Sequence, residues 1–184
     1  MSRIKESVSV GAELTTMLAG PCPGIEVTAE HSGRWDGMCV TFRWSGFAGL
    51  LPEERYERLV RVIPEEYCKK KLAGFVWLEL APGESIDAFL AMPRSEDVAE
   101  KEADIDAELR RIGFFPALSK CLGSSPKKTC RGDLSGVARV LGDLAFDGER
   151  IDQAKMLFIR YGAYCDCQAL LTVEKQLAEK SGRT

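Results

Sequence analysis

Apolar residues recur at helical spacing over 7–18, where Val8, Val10, Leu14, Met17 and Leu18 form one stripe, and Gly20-Pro21-Cys22-Pro23-Gly24 stops that helix. The period then changes to two. Alternation from Ile25 to Glu30, and again at Val40, Phe42 and Trp44, predicts two half-buried strands joined through residues 32–37 as a hairpin. Pro52 suits a first helical position and Glu53 and Glu54 suit a helix N-terminus, so a helix follows with Tyr56, Leu59, Val60 and Ile63 inward. After Pro64 a short helix over 65–71 ends before Gly74, and Phe75 to Leu80 predicts a third strand closed by Pro82-Gly83. The order is αββααβ over residues 1–92.

Beyond a short helical stretch at Ile86, Phe89 and Leu90, Met92-Pro93-Arg94 marks a domain boundary, and no further strand pattern occurs. In the connector region, 93–118, Ser95 is the expected cap of a long helix whose apolar seam is Val98, Ile105, Leu109 and Ile112. A seam that narrow predicts one docked edge; a helix-to-helix homodimer contact is the alternative. Gly113 ends this helix, Pro116 starts a small one, and residues 123–128 read as a polar loop. Asp133 is the expected cap of a helix burying Leu134, Val137 and Leu141, and Glu149 to Tyr161 follows with Leu157 and Phe158 inward and Gly162 terminating it. A last helix uses Ala169, Leu170, Val173 and Leu177. The expected class is α+β: a sheet unit, 1–92, and a helical module, 93–184.

Composition narrows the function. With 45% hydrophobic and 29% charged residues in 184, the chain suits a globular protein. A formal charge of −3 gives no general attraction to phosphate backbones or anionic lipid, so nucleic acid is not the expected partner. No apolar run spans a bilayer and residues 1–6 do not read as a signal peptide, so a cytoplasmic location is expected. Seven cysteines, an odd number in a chain of this size, are expected to be mostly reduced.

Arg55, Arg58 and Arg61 recur every three residues next to Lys69, Lys70 and Lys71, a stripe that could meet nucleic acid. The plainer expectation is a solvated face paired with Glu53, Glu54 and Glu57, and the acidic turn Ile63-Pro64-Glu65-Glu66 would repel phosphate. His31, the sole histidine, is expected to be an ordinary polar residue at a strand end, and Trp35 either an exposed contact or a lid on the sheet.

The αββααβ order with Phe47-Ala48-Gly49, then Arg55, then a strand after Gly74 resembles the BolA family, whose topology is shared with type-II KH domains; residues 7–82 are covered. The family's Arg-His-Arg run falls on Arg55-Tyr56-Glu57. The histidine with which that family holds an iron-sulfur cluster beside glutaredoxin falls on Phe75, so the resemblance does not imply a cluster here.

Tyr164-Cys165-Asp166-Cys167, preceded by Cys130 before a helix, resembles a small bacterial domain family of unknown function over about residues 119–177. Gln168 stands where that family has glutamate and Ala163 where it has a second glycine. Within a regular helix Cys165 and Cys167 would point to nearly opposite sides, whereas at a helix start both can face one ion. With Cys165 or Asp166 as cap, the dipole and free N–H groups would favour thiolates, and Gln168 could reach back to the capping backbone. Three readings follow: a structural seat for the last helix formed by Tyr164 and its neighbours; a zinc or other soft-metal site of Cys130, Cys165, Cys167 and Cys121; and a thiol-redox pair, Cys165 with Cys167. No Ser-His-acid set, phosphate loop or dinucleotide fingerprint occurs, so the expectation is a non-enzymatic protein whose partner is another protein.

Overall fold

A computed structural model describes residues 2–180 and 182 of the chain, which divides into two compact units, Met1–Met92 and Pro93–Thr184. The first contains α1 (Ser2–Leu18), β1 (Glu26–Ser32), β2 (Gly37–Arg43), α2 (Pro52–Val60), α3 (Glu65–Lys71), β3 (Val76–Leu80) and α4 (Ile86–Leu90). The central strand is β2, antiparallel to β1 with Ala29 opposite Val40, and parallel to β3 with Val40 opposite Trp77. A hairpin suffices for the first pairing. The parallel pairing needs a crossover, supplied by α2 and α3. Asp36, at φ 47, makes the left-handed step that turns the hairpin.

Pleating sends neighbouring β2 side chains to opposite faces. Val40 and Phe42 join Val10, Leu14 and Leu18 of α1 and Leu59 of α2 in one core, while Cys39 joins Leu78, Leu80 and Phe89 of α4 on the other face. Trp35 packs partly buried against this second cluster, so the hairpin loop folds back on the sheet. His31 is exposed on β1.

Two expectations on α2 need correction. Tyr56, read as inward, is 49% exposed, its ring lying 5.3 Å from Trp77. Arg55, read as part of a nucleic-acid face, is only 1% exposed. Its guanidinium donates to the carbonyls of Leu50 (2.9 Å) and Glu79 (2.7 Å) and pairs with the Glu84 carboxylate. Burial of such a cation demands this complete set of acceptors. Four other cations of the stripe are also engaged: Arg58 donates to the Gly46 carbonyl, Arg61 pairs with Glu57, and Lys69 and Lys70 pair with Glu65 and Glu66 one turn earlier.

The second unit is helical. A 3₁₀ stretch, Ser95–Lys101, leads into α5 (Glu102–Arg111), followed by α6 (Phe114–Leu122), α7 (Pro126–Thr129), α8 (Ser135–Asp143) and α9 (Gly148–Arg160). The last helix runs through α10 (Asp166–Gln168), a π-helical stretch (Ala169–Val173) and α11 (Glu174–Lys180). Ser95 does not cap a long helix: the cap is Arg94, whose backbone N–H donates to the Asp97 carboxylate at 2.7 Å. The seam expected of the connector region does face inward at Val98, Ile105 and Leu109. Gly113, at φ 72, turns α5 into α6, where Phe114 stacks on Phe158 of α9 at 5.5 Å. Glu102 fastens the start of α5 to the end of α9 and to α11: Tyr161 Oη donates to it at 2.7 Å, and Lys180 pairs with it. Residues 126–128, read as part of a loop, form with Thr129 the single turn α7, whose Thr129 hydroxyl donates to the Leu122 carbonyl at 2.7 Å.

Candidate metal centre in the helical unit

The segment before the last helix is shaped by the termination of α9. Gly162, at φ 75, donates to the Ile159 carbonyl (2.8 Å) and Ala163 to the Phe158 carbonyl (3.0 Å), the paired reversal that satisfies the last carbonyls of a helix. Only glycine adopts that φ without a Cβ penalty. The chain then extends to Cys165, at φ −153 and ψ 159, which caps α10. The expected helix start is therefore present.

Gln168 does reach back, one residue further than a capping box requires. Its Oε1 accepts from the Tyr164 N–H at 3.0 Å and lies 3.3 Å from Cys165 Sγ. Tyr164 is half-buried.

Asp166 is only 3% exposed. Its Oδ2 accepts from the Gly136 N–H (3.1 Å) and its Oδ1 from the Val137 N–H (2.8 Å), while its own N–H donates to the Asp133 carbonyl at 2.9 Å. The carboxylate thus caps α8 from another part of the chain. This corrects the role expected of Asp133, whose side chain accepts from the Ser135 N–H at 3.0 Å. Burial raises the Asp166 pKa, against the two N–H donors that favour its charged form. Gly136 is dictated by the same contact: a Cβ there would lie 2.5 Å from Oδ2 and 2.8 Å from Cγ.

Cys130 enters from the end of α7, in extended backbone. Its sulfur and those of Cys165 and Cys167 all lie within 4.8 Å of one another, and Cys165 Sγ is 3.4 Å from Cys167 Sγ. All seven cysteines are free thiols. The expectation that the helix start would lower the pKa of Cys165 and Cys167 is overturned. Burial raises both, and the neighbouring sulfurs help push Cys167 up to about 12. Burial opposes ionisation of Cys130 as well, but there it is outweighed by the N–H groups of Cys167 and Gly132 and by the two thiol donors, so its pKa falls. Of the three thiols, Cys130 is thus the one shifted downward.

Cys121, expected as a fourth ligand, is not brought into this group. It sits in the last turn of α6, where its sulfur accepts from Arg139 Nη2 of α8 at 2.7 Å. The remaining three cysteines could bind a metal ion. They come from a loop and a helix start that are distant in sequence, tied together by the Asp166 bridge. What the sequence reading missed was Gly136: a helix opening with Ser-Gly is visible, but not which carboxylate its N–H groups await.

Comparison with family models, curated proteins and solved structures gives no match. The fold and site accordingly define a class and no more: an α+β chain with a small mixed sheet in one unit and a three-thiol cluster in a helical second unit.

Proposed function

We propose that the helical unit binds one borderline-soft metal ion, zinc fitting best, through Cys130, Cys165 and Cys167, and that the protein is a non-enzymatic interaction module. The observation that carries this is the convergence of three sulfurs from two separate segments. Three thiolates favour zinc or copper(I) over hard cations. In such a site the ion would tie the loop after α7 to the start of the last helix, with the fourth position open to water or to a donor from a partner. The BolA-like resemblance of residues 7–82, a cytoplasmic location and a protein partner or homodimer belong to the same reading. Metal analysis of protein purified without chelator tests it. One equivalent of zinc, lost in Cys130→Ser and in Cys167→Ser, is the expected result; no stoichiometric metal in the native protein would sink the reading.

Thiol-redox chemistry is the second reading, favoured by the 3.4 Å separation of Cys165 and Cys167 sulfurs. The ionisation order makes Cys130, not the Cys165–Cys167 pair, its nucleophile. If Cys130 alkylates at neutral pH no faster than an ordinary thiol, this reading fails.

A further inference from the structure

Between the ends of α6 and α7 and the start of α8 lies a cleft of about 190 Å³, lined by Cys121, Thr129, Arg131, Ser135, Gly136, Arg139 and other residues. Asp166, whose two oxygens already accept from Gly136 and Val137, also lines it, and Arg131 follows Cys130 of the cysteine cluster in the chain. Two guanidinium groups and two hydroxyl side chains therefore form its polar lining, set against that one engaged carboxylate. Arg131 makes no ion pair among the described residues, and Arg139 directs one nitrogen at the Cys121 sulfur.

The surrounding charge is equally uneven. Lys120, on α6, and Lys127 and Lys128, on the same turn as Thr129, also lack carboxylate partners among the described residues. In the other unit Lys69 and Lys70 are paired to nearby glutamates. The carboxylates of Asp143 and Asp166 partly compensate Arg139, which leaves Arg131 as the unpaired cation of the cleft lining. Cations left unpaired around a concavity concentrate anions there, and guanidinium forks match phosphate oxygens in geometry. The volume limits the guest, being below the roughly 300 Å³ from which drug-sized ligands begin.

We propose that this cleft binds a small phosphate-type oxyanion, either free phosphate or the terminal phosphate of a phosphomonoester, with Arg131 and Arg139 as its principal donors. The site is independent of the proposed metal: none of the three clustered cysteines lines it. Arg131 is exposed and can be changed without touching the core.

Calorimetric titration of the full chain with inorganic phosphate, and separately with phenyl phosphate, tests the proposal, with sodium chloride at matched ionic strength as reference. Saturable binding of at least one phosphate species is expected, weakened about tenfold or more in Arg131→Gln and in Arg139→Gln, since charge-assisted bonds are the strong ones. Lys71→Gln, in the other unit, should bind as the native chain does. The tighter of the two species tells which source of phosphate the cleft accepts. Heat no different from that of chloride, or equal losses in Lys71→Gln and Arg131→Gln, would overturn the proposal.

Discussion

Replacing Asp166 by alanine removes the acceptor for the first N–H groups of α8. Loss of a capping side chain costs about 0.5–2 kcal/mol, and a buried donor left without a partner about 1–3 kcal/mol. With two donors at 3.1 and 2.8 Å from the carboxylate, the expected loss is about 2–4 kcal/mol by the same values. For a unit of this size each kcal/mol moves the midpoint by about 4–8 °C, so a fall of about 8–32 °C should be visible in circular dichroism at 222 nm. Gly136→Ala attacks the same contact from the other side, because its methyl would lie 2.5 Å from Oδ2 and force the carboxylate off at least one N–H. The two changes should not add. Once Asp166→Ala has removed the three atoms nearest a methyl at position 136, the better helix propensity of alanine, about 1 kcal/mol over glycine, should make Gly136→Ala neutral or stabilising. Urea denaturation of the native chain, both single variants and the double variant closes this cycle. An equal cost for Gly136→Ala in both backgrounds would refute the trans-capping role of Asp166.

In the sheet unit, Arg55→Ala leaves the Glu84 carboxylate without its cation and should destabilise by about 3–5 kcal/mol, the range for breaking a buried pair; a loss below about 1 kcal/mol in denaturant titration would contradict the buried pairing. Burial alone would raise the Glu84 pKa, but the Arg55 guanidinium and the Ala81 N–H outweigh it and hold the carboxyl below its ordinary range. Its contribution is therefore full above the unfolded-state pKa and disappears as pH falls through the folded value. Stability measured from pH 6 down to pH 2 should drop less steeply in Glu84→Gln than in the native chain. Cys121→Ser should retain metal wherever the native chain does, since Cys121 lies outside the cluster; parallel loss of metal with Cys130→Ser would place it among the ligands. In metal-free protein at neutral pH, Cys130 should react with iodoacetamide before Cys165 and Cys167, as peptide mapping would read; the reverse order would contradict the ionisation sequence.

Local physical chemistry made much of this molecule legible in the chain. Period-two alternation at Val40 and Phe42 and the stop at Gly74 are properties of short segments, and β2 and β3 lie where those signals place them. Gly162 announces the end of α9 for the same reason: a left-handed residue is needed there, and glycine is the residue that adopts it at least cost. Helix starts were less legible. Ser95 and Asp133 both look like caps, but a cap is a competition among all nearby acceptors: Asp97 wins locally, three residues from the Arg94 N–H, and Asp166 wins through proximity created by the fold.

The same division applies to the cysteines. From sequence, Cys165 at a helix start and Cys130 before a helix could be named as ligands, and their convergence within 4.8 Å agrees. Which thiol ionises first, which side the Asp166 carboxylate faces, that Cys121 turns to Arg139, and that Arg55 is buried rather than presented to solvent were settled only by tertiary structure. Each depends on the dielectric and on donors contributed by residues remote along the chain, and neither is encoded in the spacing of a motif.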